Sequence, residues 1–87
     1  MEKYNIEFKR SAFKEIEALQ RRDLIAIKLK IDSLVENLRP YGYEKLSARE
    51  MYRIRSGDLR VLYTIQDRIL IVCVVHVGHR SLGVYRK

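Results

Sequence analysis

The chain has 87 residues, which is enough for one domain with a single hydrophobic core and leaves no room for a second module. Its 18 basic and 11 acidic residues give a net charge of +7, so attraction to polyanions such as nucleic acids is expected. A hydrophobic fraction of 47% excludes a disordered chain, and no apolar run is long enough to span a bilayer.

Hydrophobic periodicity predicts one strand and two helices in the first half of the chain. Residues 4–8 alternate apolar with polar side chains, as a half-buried strand does. Ser11 is the predicted N-cap of a short helix, and a longer helix follows over residues 24–38, ended by Pro40. The short break between them predicts an antiparallel helix hairpin. Four basic residues are predicted to form its solvated face: Arg21, Arg22, Lys28 and Lys30.

Residues 41–50 are predicted to form a polar connection from the helices back to a sheet. Lys45 and Arg49 lie in this connection, and we expect them to flank a cationic surface. Tyr41 and Tyr43 are expected to cover a helix end, and contact with RNA or the ribosome is the alternative interpretation. Two antiparallel strands follow at residues 52–55 and 59–65, because Ser56-Gly57-Asp58 between them has the composition of a tight turn.

Three arginines are predicted to lie on one face of this hairpin. An extended backbone over residues 52–55 sends Arg53 and Arg55 to the face opposite two apolar side chains, and Arg60 on the returning strand joins them. Three guanidinium groups on one surface repel each other, and an anion with several oxygens, such as phosphate, would relieve that repulsion. A solvated edge hairpin whose arginines serve solubility is the alternative interpretation.

The last strand is predicted at residues 69–77, a continuously apolar run that is typical of a central strand covered on both faces. Gly78 ends it, and residues 79–87 form a tail rich in basic and aromatic groups. Together these elements predict an α+β fold in a single domain over residues 1–87. An N-terminal strand and an antiparallel helix hairpin pack on a small, mainly antiparallel sheet of four strands, in the order β-α-α-β-β-β.

The cysteine and histidine content argues against a metal site. Cys73 is the single cysteine, so neither a disulfide nor a cysteine-based zinc cluster can form, and we expect it to be a small buried side chain. His76, inside the apolar strand, is expected to be an interior histidine, and with His79 it makes too small a set for a metal site. No cofactor is expected. The polar amino terminus does not resemble a secretory signal, so we expect residence in the cytoplasm.

Two segments carry a resemblance to a known family. Residues 52–63, Tyr-Arg-Ile-Arg-Ser-Gly-Asp-Leu-Arg-Val-Leu-Tyr, and residues 77–85, with Val-Gly-His-Arg and a closing Val-Tyr, are similar to the RelE family of toxins from type II toxin–antitoxin systems. Residues 9–15 and 37–40 also look like segments of that family, which belongs to the RelE/ParE superfamily. The similarity covers nearly the whole chain.

The resemblance implies a ribosome-dependent, metal-independent endoribonuclease that cuts messenger RNA in the decoding site and inhibits translation. In such a reaction the RNA's own 2′-hydroxyl attacks the adjacent phosphate, leaving a cyclic 2′,3′-phosphate. Charge on the phosphorane-like transition state must be stabilised, and protons must be taken from the 2′-hydroxyl and given to the leaving 5′-oxygen.

The resemblance also implies the roles of individual residues. The catalytic set is Arg53, Arg55, Arg60, Arg80 and Tyr85, with Arg80 protonating the leaving group and Tyr85 orienting or stacking on the substrate. The best-described relatives carry lysine at the position of Arg55 and assign it general-base work, whereas deprotonating arginine at pH 7 costs about 8 kcal/mol. Arg55 is therefore assigned to charge stabilisation, and the proton acceptor stays open, with His79 a candidate. Further RNA contacts are expected from Lys45, Arg49, His79 and Arg86.

A cognate RelB-like antitoxin is the implied partner, beside the ribosome and messenger RNA, and no membrane partner is expected. We expect a monomer when the chain is alone and a heterodimer or heterotetramer with the antitoxin. Two other functions remain open: a ParE-like inhibitor of DNA gyrase, which shares the fold, and a noncatalytic module that binds RNA or the ribosome through its basic sheet.

Overall fold

The computed structural model describes residues 4–40, 42–46 and 51–79. Its five strands form one sheet in the order β1-β5-β4-β3-β2, with β1 parallel to β5 and all other neighbours antiparallel. In chain order the elements are β1 (Asn5–Phe8), α1 (Arg10–Glu17), α2 (Arg21–Ser33), β2 (Glu44–Leu46), β3 (Met51–Ser56), β4 (Leu59–Gln66) and β5 (Ile71–His79).

This architecture confirms the predicted α+β fold, with an N-terminal strand, a helix pair and a mainly antiparallel sheet. Over the described residues the sheet has five strands instead of the predicted four, because Glu44–Leu46 pairs with β3 as an edge strand inside the segment predicted to be a connection. The predicted central position is confirmed, since β5 lies between β1 and β4, but the predicted coverage of both faces is wrong, because Ile71, Cys73 and Val75 are only partly buried. Strand β5 runs to His79, two residues beyond the predicted end.

The helix boundaries differ from those predicted, since α1 begins at Arg10 and α2 runs from Arg21 to Ser33 instead of over residues 24–38. Backbone hydrogen bonds explain the start of α1 and the end of α2. The amide of Lys9 still donates to the carbonyl of Val74 at 2.9 Å, so the chain leaves β5 there and α1 begins at Arg10, one residue before the predicted cap Ser11. Helix α2 ends at Ser33, and the amide of Leu34 donates to the carbonyl of Ile31, three residues back, as in a tightened last turn. Neither described helix is long and apolar enough to cross a membrane.

The hydrophobic core lies between the helices and one face of the sheet. Ala12 of α1 and Ile27 of α2 are fully buried in it, and the sheet contributes alternating residues from β3, β4 and β5. This alternation is the pattern of a sheet covered on one face. The other buried members of this cluster are Ile31, Leu34, Tyr52, Ile54, Leu59, Val61, Tyr63, Val72, Val74 and Val77.

A β-bulge lets β5 keep its apolar side chains in the core over its whole length. Val74 is in register with Tyr63 and His76 with Leu62, so Val75 is the extra residue between the two pairs. The bulge shifts the alternation by one position, because two residues of the bulged strand face one residue of its partner. Val72 and Val74 before the bulge and Val77 after it are consequently all buried.

A ladder of three tyrosines closes the core near the end of α2. Tyr63, predicted as a core residue, is fully buried, and its hydroxyl donates to the carbonyl of Leu38 at 2.7 Å. Its ring stacks on Tyr52 at 5.7 Å between centroids, and Tyr52 contacts Tyr43 at 6.0 Å. Burial raises the pKa of Tyr63 to about 12, so the hydroxyl keeps its proton and the bond to Leu38 across the neutral pH range.

Glu15 joins α1 to the part of β5 that extends beyond β1. The β1 pairing covers β5 only from Ile71 to Val74. Further along, the Glu15 carboxylate accepts a hydrogen bond from the backbone amide of Val77 at 2.9 Å and lies 2.9 Å from Nδ1 of His76. His76 therefore has a carboxylate partner, but it is not the interior histidine that was expected: it is in register with Leu62 outside the core cluster, and its side chain is 12% exposed. Glu15 satisfies the part of the strand edge that β1 does not reach.

Candidate functional site

Three arginines lie on the face of the sheet opposite the core. Arg53 and Arg55 alternate with buried residues of β3, and Arg60 lies between the buried residues Leu59 and Val61 of β4. The register places Arg55 directly opposite Arg60, a position in which Cβ atoms are about 4.5–5.5 Å apart. The hairpin therefore brings these three predicted site residues together, and we refer to Arg53, Arg55 and Arg60 as the arginine cluster.

The β3–β4 turn holds the two halves of the arginine cluster in this register. Ser56 and Leu59 are the last cross-strand pair, which leaves Gly57 and Asp58 as a two-residue loop. Gly57 has φ +62°, in the left-handed region, where a residue with a side chain would be strained. Glycine is the preferred residue at the first loop position of a type II′ hairpin turn. The predicted turn is thus confirmed.

Glu44 on β2 contacts the arginine cluster and was missed by the sequence interpretation. It is in register with Arg53, whose Nε donates to the carboxylate oxygen Oε1 at 2.8 Å and whose Nη2 donates to the same oxygen. The Arg53 side chain is 17% exposed and that of Glu44 47% exposed. The signal that could have found Glu44 is the need of three neighbouring arginines for a counter-charge.

Glu44 is the acidic side chain that lies beside the arginine cluster, and its contact is with Arg53. The hydrogen bond from Arg53 lowers the pKa of Glu44, and the charges of Arg53, Arg55 and Arg60 lower it further. Glu44 therefore stays ionised at neutral pH, where it offsets one of three positive charges. Guanidinium groups match the oxygens of a phosphodiester, and a carboxylate with a lowered pKa is a weak proton acceptor.

The surface beside the arginine cluster is mixed, with Leu62 and, in register with it, His76. Leu62, in register with Arg53, is only 2% exposed although it lies outside the core cluster. Cys73 is in register with Thr64 and is half-buried, which corrects the expectation of a fully buried cysteine.

Two residues predicted to contact RNA are not brought to the arginine cluster. Lys45 is in register with Tyr52, and His79 with Leu59, and both partners are buried on the core side. Directly opposed side chains share a face of an antiparallel sheet, so Lys45 and His79 belong to the helix side. His79 there borders a pocket of about 720 Å³ together with Glu15.

The remaining predicted site residues lie outside the described residues. They are Arg49, Arg80, Tyr85 and Arg86. Among residues 4–40, 42–46 and 51–79, no three His, Cys, Asp or Glu side chains lie together as a set that could hold a metal ion.

Comparison with solved structures shows the same fold in several toxins. The free Escherichia coli toxin RelE, as a double arginine-to-alanine mutant, has a TM-score of 0.80 and 28% identity, covering 97% of this chain and 92% of that one. RelE in the intact E. coli RelBE toxin–antitoxin complex gives a TM-score of 0.78 and 27% identity, covering 87% and 95%. The toxin–antitoxin complex RelBE2 of Mycobacterium tuberculosis, at 24% identity, gives a TM-score of 0.77, covering 91% and 100%.

A comparison with models of protein families identifies the family of the chain. No curated protein sequence matches the chain. The model of the ParE toxin of type II toxin–antitoxin systems matches residues 6–82, nearly the full length. The chain therefore belongs to the ParE toxin family of type II toxin–antitoxin systems, within the RelE/ParE superfamily that its sequence predicts.

Proposed function

We propose that this toxin acts by cutting messenger RNA on the ribosome. The observation that supports the proposal is the convergence of Arg53, Arg55 and Arg60 on one face, where all three act on the same carboxylate. A hairpin that holds three guanidinium groups on one face offers planar donors that match the oxygens of a phosphodiester. The similarity to RelE structures at 27% and 28% identity also supports the proposal.

The proposed chemistry is attack of the 2′-hydroxyl on the adjacent phosphate. Arg55 and Arg60 would bind the scissile phosphate and stabilise the charge that builds up on its oxygens. Arg53 would border the same phosphate, oriented by Glu44. Since deprotonating arginine costs about 8 kcal/mol at pH 7, none of the three serves as the general base. His79 fits that role poorly, because by register it belongs to the helix side. In this proposal the proton of the 2′-hydroxyl therefore passes to a water molecule as its oxygen bonds to phosphorus and the bond to the 5′-oxygen breaks.

The tail residues complete the proposal. Arg80 would protonate the leaving 5′-oxygen, and Tyr85 would stack on a base of the substrate, a contact worth about 1–3 kcal/mol. Arg49 and Arg86 are proposed as further RNA contacts. These four positions lie outside the described residues, so their roles follow from the sequence resemblance.

Cell-free translation tests the proposal. Wild-type toxin should arrest translation and leave cleaved messenger with cyclic phosphate ends. Arg60→Ala should reduce the cleavage rate by about 100-fold or more, the usual cost of removing one donor to a transition-state oxyanion. Arg68→Ala is the matched control, because Arg68 is an exposed arginine in the turn after β4. Arrest that persists in Arg60→Ala would contradict the proposed site.

A ParE-like action on DNA gyrase is the second candidate, and the matching family model favours it. An assay of plasmid supercoiling by DNA gyrase distinguishes the gyrase inhibitor from the ribonuclease. Inhibited supercoiling with intact messenger would establish gyrase as the target, whereas cleaved messenger with normal supercoiling supports the ribonuclease. A noncatalytic RNA-binding module would instead give salt-sensitive binding and no cleavage products.

An antitoxin is the proposed partner, as RelB is for the E. coli toxin in its RelBE complex. The net charge of +7 favours an acidic partner that covers the positive surface. We expect a heterodimer or heterotetramer, which size-exclusion chromatography of the toxin co-expressed with its neighbouring gene would detect. Recovery of toxin alone from such co-expression would contradict this partner.

A further inference from the structure

A second concave site adjoins the arginine cluster where α2 passes the edge of the sheet. Lys30 of α2, Gly42, Glu44 and the β3 residues Ile54 and Arg55 line a cleft of about 330 Å³. Arg55 is a member of the arginine cluster and also lines this cleft, and Glu44, which contacts the cluster, lines it too. The cleft therefore continues the cationic surface from the open face of the sheet round its edge to the second helix.

Lys30 differs from the other lysine on the same stretch of helix. Lys28 is 73% exposed and lies 3.4 Å from Asp32 in an i,i+4 ion pair. Lys30 is half-buried and borders the cleft, although the sequence predicted it on a solvated face. The two lysines thus have the same chemistry and different surroundings, and only Lys30 is placed to bind a ligand in the cleft.

The backbone of β3 is open toward the cleft. Pairing of β2 with β3 runs from Leu46–Met51 to Glu44–Arg53. Within the described part of the chain, the outer side of β3 from Ile54 onward therefore has no strand partner. Such an edge presents amide and carbonyl groups to a ligand, and backbone amides commonly bind phosphate oxygens in nucleic-acid complexes. No atom lies within 4 Å of the position that a Cβ on Gly42 would occupy, so the cleft is open on the side formed by Gly42.

The charges of the cleft favour an anion. Lys30 and Arg55 contribute positive charge from two different elements, and Arg53 already neutralises Glu44 through its hydrogen bonds. An apolar ligand would leave both cations desolvated and unmatched, which is costly. A phosphodiester matches the charge and offers oxygens to both cations and to backbone amides.

We propose that this cleft binds a second phosphate of the RNA strand, next to the scissile phosphate, with Lys30 and Arg55 as its ligands. The inference rests on the proposed function and deepens it, since Arg55 then lies between two successive phosphates. Lys30 is a substrate-positioning residue that takes no part in proton transfer. Its loss should weaken RNA binding without changing the rate of the bound complex.

The test compares Lys30→Gln and Lys30→Arg with Lys28→Gln. The probe is a short single-stranded RNA with a 2′-deoxy nucleotide at the cleavage site, bound over a range of salt concentrations. One lost phosphate contact lowers the slope of log K against log salt by about 0.7, which is about a five-fold loss of affinity at 0.1 M salt. Lys30→Gln should show this loss, while Lys30→Arg and Lys28→Gln should bind as the wild type does.

A neutral methylphosphonate linkage, moved along the RNA, locates the contact. At the position next to the scissile phosphate it should weaken binding to the wild type and have no added effect on Lys30→Gln. Equal slopes for Lys30→Gln and the wild type, or equal losses in Lys30→Gln and Lys28→Gln, would overturn the inference while leaving the cleavage tests of Arg60 untouched. Weakened binding of a poly-glutamate peptide with unchanged RNA binding would assign the cleft to a protein partner instead and overturn it too.

Discussion

Replacing Arg55 with glutamine should make the protein more stable and less active at once. Arg55 lies directly opposite Arg60 on the hairpin, and like charges in this position destabilise a sheet. Glutamine keeps most of the length of the side chain and removes its charge. A residue retained for folding would show the opposite stability effect, so the direction of the change distinguishes a functional arginine from a structural one.

The expected gain in stability is small but measurable. Two unit charges about 6 Å apart in water repel by about 0.7 kcal/mol. The change also removes the attraction of Arg55 for Glu44, which is weaker than that of Arg53. We therefore expect a net gain of about 0.5 kcal/mol in the free energy of unfolding, which raises Tm by about 2–4 °C for a domain of this size.

Urea unfolding of the wild type and of Arg55→Gln at 0.01 M and 1 M salt tests whether charge repulsion causes the difference in stability. The difference should be present at low salt and vanish at high salt, where charges are screened within about 3 Å. Messenger cleavage by the variant should fall about 100-fold. Arg68→Gln should change neither quantity. A variant that is less stable than the wild type at low salt, or one that cleaves normally, would refute this reasoning.

Substitutions at three further residues test other contacts. Tyr63→Phe removes the donor to the Leu38 carbonyl and should cost about 1–2 kcal/mol at pH 7. Because the Tyr63 pKa is raised to about 12 in the folded state, wild-type stability should also fall between pH 10 and 12, and urea unfolding should show that part of the decline missing in Tyr63→Phe. Glu15→Ala should cost about 1–3 kcal/mol by leaving the Val77 amide without its acceptor, and Glu15→Gln, which keeps an acceptor oxygen, should cost less. Glu44 has a lowered pKa, so its ion pair stabilises the fold above the unfolded pKa of about 4.3, and the stability difference between wild type and Glu44→Gln should shrink as the pH falls below that value. A difference that is constant from pH 7 to pH 3 would exclude this role for Glu44.

The hairpin and its arginine face could be predicted because they depend on local rules. Alternation with a period of two sets the face of each side chain, and Gly57 sets the turn, so Arg53, Arg55 and Arg60 had to meet once β3 and β4 paired. The buried position of Tyr63 follows from the same rule. Predictions of this kind need no knowledge of contacts far apart in the chain.

The parts that could not be predicted depend on distant contacts or on very short elements. Strand β2 has three residues, too few for a periodic pattern, so Glu44 was placed in a connection and its ion pair with Arg53 was missed. The bulge at Val75 has no sequence signature, yet the register beyond it places His79 on the helix side instead of beside the arginines. Helical periodicity placed Lys30 correctly on a helix but could not show that the sheet edge lies beside it.

A structure of the toxin on a ribosome carrying an uncleavable messenger would show where the arginine cluster binds. We predict that the guanidinium groups of Arg55 and Arg60 both lie within about 2.7–2.9 Å of oxygens on the same phosphate, the one at the cleavage site. Arg55 and Arg60 on separate, distant phosphates, or a messenger strand that does not touch this face of the sheet, would contradict the proposed site.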